Sequence, residues 1–580
     1  MAFLRNLLAT IVGLFIFFFL IFFAFAGVVA SLESDEVPEV EENSVLYLKM
    51  NGVLMERTVE DPLQEIFPSS APAPRGLMDI LKAIKGAKDD PNIRGIYMEH
   101  QFIAGGYASL KEIRDALLDF KESGKFIVSY AEYMSENDYY LASAADTIFL
   151  HPEGSLEFNG LSANVTFWKG LFDKLDIKPE IFRVGEFKSF VEPFIQKQMS
   201  EENRLQLTEL LNSVYNTYTT EVSESRPLSK EEIRNISDNL LIHLPRDAVE
   251  KGLIDKLGYE DEIKSVIGEK VGEEDLDDIE YISYQKYNKA LGVGEYSKNK
   301  IAVIVAEGEI VMAGDDNSIV GEKFAEEIRK ARENNRIKAI VLRINSPGGS
   351  LTASDMIWRE INLTRGEKPI IASMSSVAAS GGYYLAMGCD TIIAQPNTIT
   401  GSIGIFGILF NLDDFLENKL GITTDVVRTG KHSDLITLTR ELTEYEKEVI
   451  QKGVEKGYQT FITKAAEGRG MTKEEIDEVG GGRVWSGVQA LENGLIDQVG
   501  SFQDAIEVAA KMAEVEDDYR VSFYPRKKPF IEELMGRLSD EADVRIFGGN
   551  HALSPYVDDI QELNSMKGIQ VRLPAEIRIE

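Results

Sequence analysis

Three short stretches in the second half of the chain carry residue types that polar chemistry needs. INSPGGS, Ile344 to Ser350, follows a β-branched run. Its paired glycines, Gly348 and Gly349, permit a tight turn and leave backbone N–H groups free to point at a ligand. Donors of that kind could stabilise an oxyanion, although an ordinary strand-to-helix turn has the same composition. SVAASGGYYLA, Ser376 to Ala386, sets Ser380 among small residues, with Gly381 and Gly382 directly after it. A serine hydroxyl at a helix start would face a backbone N–H and the positive end of the dipole; a plain helix cap reads the same way. TGSIGIFG, Thr400 to Gly407, offers hydroxyls and glycines for a bend that lines a pocket, or for a simple turn.

An internal repeat sharpens the choice. YYLASAADTIFLHP, Tyr139 to Pro152, matches YYLAMGCDTIIAQP, Tyr383 to Pro396, 244 residues further on. GLIDKLG, Gly252 to Gly258, matches GLIDQVG, Gly494 to Gly500, and SVLYLKMNGVL, Ser44 to Leu54, resembles KIAVIVAEGEI, Lys300 to Ile310. Three matches in one order predict two tandem copies, over 44–297 and 298–515. The division falls in the polar, glycine-punctuated stretch from Tyr284 to Lys300. At the same spacing Ser380 pairs with Glu136, so the first copy lacks that hydroxyl. IFRVGEFKSF, Ile181 to Phe190, aligns with VVRTGKHSDL, Val426 to Leu435, which puts Lys188 opposite Ser433. A site shared between copies accounts for both differences: one copy supplies Ser380, the other Lys188.

The elements that must position these residues are legible in the second copy. IAVIVA (301–306), AIVLRI (339–344) and IIASM (370–374) read as buried strands. KFAEEIRKARENN (323–335) and ASDMIWREINLTR (353–365) read as amphipathic helices. Strand–helix alternation predicts an α/β fold, a parallel sheet covered by helices. Residues 516–580 are more polar, have no repeat partner and are expected to be an extension.

Composition excludes several classes. The 580 residues exceed one hydrophobic core. A net charge of −34 repels phosphate backbones, so nucleic acid is not an expected partner. The single cysteine, Cys389, has no intramolecular disulfide partner, and five scattered histidines give no zinc pattern. No metal and no cofactor are expected. Residues 7–30 carry no charge and are long enough to cross a bilayer as a helix. Ala24-Phe25-Ala26 has the look of a cleavage site, but a cleavable signal has a shorter apolar region. Arg5 before the segment and the acidic run from Glu33 to Glu42 after it predict a single-pass anchor, residues 1–31, with the bulk of the chain outside the cytoplasm.

Lys188 in GEFKSFVEPF, Ser380 in AASGGYY, the INSPGGS turn and TGSIGIFG together closely resemble the signal peptide peptidase A (protease IV) family in its long two-repeat form. The resemblance runs from the anchor to about residue 515. It implies two tandem crotonase/Clp-protease-like domains after a transmembrane helix and a Ser–Lys dyad split across the repeats. It also implies a homotetramer on the outer face of the inner membrane, in the periplasm, that degrades signal-peptide remnants. Carried over by motif, Ser380 is the nucleophile and Lys188 the general base. Ser402 orients the lysine, and Gly348 or Gly349 forms the oxyanion hole with Gly381.

A free lysine, with a pKa of about 10.4, is protonated at neutral pH and cannot act as a base. Burial disfavours the charged form and lowers that pKa; Phe187, Phe190, Val191 and Phe194 flank Lys188 as an apolar pocket requires. His432, beside Ser433 in the second copy, is the rival base of a Ser-His-Asp triad. No acidic partner is singled out for it, and a triad leaves Lys188 unexplained. Two other functions share the fold. A crotonase-like acyl-CoA enzyme would use the same glycine N–H groups, but coenzyme A is not expected outside the membrane. A non-catalytic membrane scaffold would not need both Ser380 and Lys188. Alanine- and glycine-lined sites suit small or apolar substrate side chains.

Overall fold

The computed structural model describes residues 2–32, 37–58, 72–292, 297–314, 317–526 and 569–572. In the first half, the strands Ser44–Met55, Ile93–Ala104, Phe126–Met134 and Thr147–Leu156 lie side by side in parallel. Arg75–Gly76 and Lys256–Leu257 close the two edges, and Tyr281–Ser283 also pairs with Ser44–Met55. In the second half, Lys300–Glu307, Ile337–Ser346, Ile370–Ala379, Thr391–Ala394 and Ile399–Gly401 form a matching sheet, again parallel. The strands coincide with the runs read from sequence, and the two helices, Gly321–Glu333 and Leu351–Thr364, lie within two residues of their expected bounds.

Both sheets are buried on two faces, which is why their strands read as continuous apolar runs. Successive side chains of a strand point to opposite faces. Leu46, Leu48, Ile96 and Met98 therefore enter one core, and Val45, Tyr97 and Val128 another. In the second sheet Ala302, Ile304, Ile340 and Leu342 separate in the same way from Ile301, Val303, Ala339 and Val341.

The repeat extends to individual hydrogen bonds. The Tyr139 hydroxyl donates to the carbonyl of Leu253 at 2.9 Å, and the Tyr383 hydroxyl to that of Leu495 at 2.9 Å. Asp255 accepts the N–H of Ile148 and pairs with Arg226; Asp497 accepts the N–H of Ile392 and pairs with Arg469. Each aspartate ties the returning chain to the end of its sheet.

Two stretches near the expected boundaries are structured. Residues 284–291, inside the stretch expected to separate the copies, form the helix Tyr284–Leu291. Tyr284 and Tyr287 are buried, and Asn288 donates to the carbonyl of Asp79 at 2.7 Å, so this helix belongs to the first half. Arg520–Tyr524, inside the expected extension, pairs in parallel with Lys300–Glu307, as Tyr281–Ser283 does with Ser44–Met55.

The halves are joined by a buried charge cluster. The Arg343 guanidinium, fully buried, meets Glu56 at 2.7 Å and Glu112 at 2.9 Å, both from the first half, and donates to Ser373 and Ser375 at 3.0 Å. They are joined again by a third sheet, in the order Ile319–Val320, Ile310–Val311, Gly348–Ser350, Ile569–Arg572, Ile405–Asn411, Lys178–Val184. There the first-half strand Lys178–Val184 runs antiparallel to Ile405–Asn411 along its whole length, from Val184 opposite Ile405 to Lys178 opposite Asn411.

The chain opens with a helix, Ala2–Leu32, whose side chains are described over residues 5–20. Among the described residues no helix is long and apolar enough to cross a membrane.

Candidate active site

Lys178–Val184 delivers Lys188. The strand crosses to the second half, turns at Gly185, and sets Lys188 at the mouth of the short helical turn Ser189–Val191. Gly185 has φ +104°, and a methyl group there would sit 2.3 Å from the carbonyl oxygen of Gly481. A side chain at this position would push the lysine's strand off the second half.

Ser380 ends the strand Ile370–Ala379 and precedes the helix Gly381–Ala386. Its backbone has φ 55° and ψ −109°, in the half of conformational space that residues with a Cβ avoid at a cost of about 1–3 kcal/mol. The turn is held from both sides: the Ser380 N–H donates to Gly401 at 2.8 Å, and its carbonyl accepts the N–H of Tyr384 at 2.8 Å. Ser402 also has a positive φ, 49°, and its N–H donates to Arg483 at 2.7 Å. Two strained serines facing one point are bought by the parallel pairing of Ile370–Ala379 with Ile399–Gly401.

At that point the three residues meet. Nζ of Lys188 lies 2.9 Å from Oγ of Ser380, 2.9 Å from Oγ of Ser402 and 3.2 Å from the carbonyl oxygen of Ser402. All three side chains are at 0% exposure. Burial is the sole cause that pushes the Lys188 amine well below its ordinary pKa; no carboxylate holds its proton on.

The glycine turn lies alongside. A methyl group on Gly381 would come 3.0 Å from Cα of Gly348 and 3.2 Å from the backbone nitrogen of Gly349, so the turn and the helix start touch through bare backbone. The N–H of Gly348 donates to Oγ of Ser346 at 3.2 Å.

The apolar residues expected around the lysine and the atoms nearest to it are not the same set. Phe190, Val191 and Phe194 do cluster, but with Phe172, Phe406 and Ile408. Against the lysine itself stand Gly404 and Gly482: a methyl on Gly482 would lie 2.6 Å from the Lys188 backbone nitrogen, and one on Gly404 3.1 Å from the lysine's Cδ. A buried amide network carries the lysine's loop. Gln206 donates to the Phe187 carbonyl at 3.1 Å and to Ser189 Oγ at 2.9 Å, and its own side-chain oxygen accepts the N–H of Val484 at 3.3 Å. Neither Gly482 nor Gln206 stood out in the sequence, because nothing in their local pattern differs from a turn glycine or a helix-surface glutamine.

The rival arrangement is not assembled. His432 is 42% exposed, and its Nδ1 lies 2.8 Å from the Glu446 carboxylate. Ser433 bonds back to Gly430 on the same exposed turn. At the place in the first half that corresponds to Ser380, Glu136 is buried, accepts the N–H of Gly160 at 3.0 Å, and has its carboxyl pushed up to about 7 by burial. Cys389 is buried, with its thiol pushed far up by burial, and is unsuited to nucleophilic work.

The pattern of Peptidase family S49 matches residues 119–273 and 362–516, and that of Clp protease matches residues 292–400. A protein of Arabidopsis thaliana described as serine protease SPPA, chloroplastic, is 33% identical over 548 residues, covering 92% of this chain and 78% of the relative. A protein of Salmonella typhi described as Protease 4 is 32% identical over 542 residues, covering 90% of this chain and 87% of the relative. One of Haemophilus influenzae with the same description is 33% identical over 504 residues, covering 82% and 80%.

Proposed function

This chain belongs to peptidase family S49 and is a serine peptidase; from that premise we propose that it cleaves peptides with a Ser380–Lys188 dyad divided between its two halves. The observation that carries the reading is the 2.9 Å approach of Lys188 Nζ to Ser380 Oγ inside a fully buried site. A neutral amine has one lone pair and two N–H bonds. The lone pair accepts the Ser380 hydroxyl proton, and the two N–H bonds point at the carbonyl and hydroxyl oxygens of Ser402. The same three oxygens would also accept the three N–H bonds of an ammonium, so it is burial that favours the neutral amine.

Lys188 takes the proton as Ser380 Oγ attacks the peptide carbonyl. The oxygen that becomes negative is met by the backbone N–H of Gly381 and by one from the Gly348–Gly349 turn. The protonated lysine then returns its proton to the departing amine, and water, activated by the same lysine, releases the acyl group. Ser402 holds the amine on its path without touching the peptide.

A membrane anchor is supported by the sequence alone: residues 6–32 hold no charged side chain. With Arg5 on the cytoplasmic side, the dyad lies on the periplasmic side of an inner membrane, where signal-peptide remnants are the substrates. The enzyme works as a homo-oligomer, a tetramer. The first-half segment 178–194 reaches across to the second half, whereas its counterpart near residues 422–438 is left on the surface with Val427 99% and Ile436 82% exposed. Apolar side chains displayed in this way suit burial against a second copy.

The test is a comparison of Ser380→Ala, Lys188→Ala and His432→Ala, each checked as folded by circular dichroism, for hydrolysis of casein and of a signal peptide. The first two are expected to lose activity by at least about a thousandfold and the third to keep it. A dead His432→Ala beside an active Lys188→Ala would end the dyad reading.

A further inference from the structure

The backbone at Lys188 takes a form that depends on support from outside. Its φ of −76° and ψ of 73° put it at the centre of an inverse γ-turn, closed by the Ser189 N–H on the Phe187 carbonyl at 2.8 Å. One hydrogen bond, worth about 0.5–1.5 kcal/mol net, closes the turn, so its aim is set by what grips it. The second half grips it once: the Phe187 N–H donates to the Gly481 carbonyl at 3.0 Å. Gln206, on the first-half helix Glu201–Ser225, grips both ends. Its amide nitrogen lies 3.1 Å from the Phe187 carbonyl oxygen, 2.9 Å from Ser189 Oγ and 3.1 Å from Asn203 Oδ1.

The other end of the same amide reaches the second half. Its oxygen accepts the N–H of Val484 at 3.3 Å. Val484 stands opposite Gly401 in the antiparallel pair of Val484–Ser486 with Ile399–Gly401, and Ser402 follows Gly401 directly. One side chain therefore ties the turn that carries the amine to the strand that leads into Ser402, on which the amine rests. A carboxamide suits this place because one wall offers oxygens and the other an N–H. Gln206 is buried, so its bonds are not shared with solvent. The repeat sets it apart as well. Helix Glu444–Arg469 is the counterpart of Glu201–Ser225, and its cap Thr443 and its Tyr458 lie 243 residues beyond Ser200 and Tyr215. At that spacing Gln206 falls on Val449, which is exposed, in the copy that brings no lysine to a site.

We propose that Gln206 is a positioning residue of the reaction: it registers Lys188 against Ser402, and so against Ser380, without touching the substrate. The inference rests on the peptidase reading of Ser380 and Lys188. Proton transfer from Ser380 needs the amine within hydrogen-bond reach of Oγ, and an ångström of play in the turn is enough to lose it. The loss falls on kcat, because the peptide seat is not built from Gln206.

The experiment uses the full-length chain. Gln206→Met keeps the length of the side chain and removes its donor and acceptor; Gln206→Glu keeps the shape and sets an oxygen against the Phe187 carbonyl. Steady-state kinetics on a fluorogenic peptide, thermal melts, and acetylation of Lys188 by succinimidyl acetate, followed by mass spectrometry, are read together. Both variants are expected to lose about ten- to a hundredfold in kcat with KM little changed. In Gln206→Met the midpoint of the kcat/KM profile should move up toward the ordinary lysine value as water reaches the amine, and Lys188 should be acetylated faster than in the parent. Combined with Ser402→Ala, Gln206→Met should cost less than the product of the two single losses, because both act on one alignment. A lowered Tm with kcat per folded molecule unchanged would overturn the proposal and mark a structural glutamine, as would losses that simply multiply. If Gln206→Met does not fold, Gln206→Glu carries the same kinetic and acetylation comparisons. If no form of the chain hydrolyses peptide, the peptidase reading fails separately, and the acetylation rates alone decide whether Gln206 holds the lysine.

Discussion

Lys188 and Ser402 touch twice, through the hydroxyl at 2.9 Å and the carbonyl at 3.2 Å, although they come from different halves of the chain. The carbonyl contact survives any substitution at 402, while the hydroxyl contact does not. Ser402→Ala is therefore expected to leave Lys188 in place but less well directed. The loss should appear in kcat at about ten- to a hundredfold, the equivalent of about 1.4–2.7 kcal/mol, with KM little changed. Steady-state kinetics on one fluorogenic peptide measures both, and Ser402→Thr, which keeps a hydroxyl, should recover part of the rate.

Burying Lys188 as a neutral amine has a thermodynamic signature. Its folded pKa lies below the unfolded one, so between the two values the unfolded chain binds the extra proton. Its contribution to stability therefore rises with pH across that window, with a slope of at most about 1.4 kcal/mol per pH unit, and levels off above the unfolded value near 10.4. Lys188→Met, which keeps the length of the stem, should be inactive yet more resistant to urea than the parent at pH 7. That advantage should shrink as the pH approaches 10. Urea melts of both proteins across this range are the measurement, and an advantage that grows with pH would contradict the burial argument.

The same shift sets the pH–rate profile. kcat/KM should rise as Lys188 loses its proton, with its midpoint well below the ordinary lysine value, and stay high to alkaline pH. Lys188→Arg, which cannot deprotonate, should show no such rise and no activity.

Gly482→Ala tests the backbone wall. A Cβ there would stand 2.6 Å from the Lys188 nitrogen and 2.7 Å from its Cα, at a residue with φ +86°. The neighbouring atoms are backbone and cannot swing aside, so the lysine must move. An ångström of displacement is expected to lower kcat by about a hundredfold or more, with a smaller change in Tm than Gly185→Ala, which strikes the crossing strand itself. Kinetics and thermal melts on the two variants separate these effects.

Arg343 joins the halves. Arg343→Leu leaves Glu56 and Glu112 buried without their cation, and breaking such a group costs about 3–5 kcal/mol. The triple variant Arg343→Leu, Glu56→Gln, Glu112→Gln should recover much of that loss, because no unpaired charge remains. Urea denaturation of the two proteins checks it.

Local pattern carried much of the design. Continuous apolar runs placed the parallel strands of the second half, since a strand buried on both faces has little other composition available. The repeat exposed the asymmetry between Ser380 and Glu136 and between Lys188 and Ser433, because equivalent positions in two copies answer the same packing demands and differ where their work differs. Less was legible where contacts are remote. Tyr284 and Asn288 read as linker because their partners on the first-half helix Leu77–Asp89 lie far back in the chain. Gly404 and Gly482 read as turns because a glycine reveals that it is needed only when the atoms facing it are known.

The amino-acid sequence by itself determined the tandem α/β architecture and the pair of residues that distinguish the copies, which follow from short-range periodicity and internal comparison, while the family followed from the resemblance of its motifs. Tertiary structure alone decided how those residues meet. Lys188 reaches Ser380 because Lys178–Val184 leaves its own half and pairs with Ile405–Asn411. The amine is pushed well below its ordinary pKa because folding buries its side chain. Ile569–Arg572 takes its place in the third sheet for the same kind of reason: strand pairing satisfies backbone groups without regard to sequence separation, so no local pattern announces it.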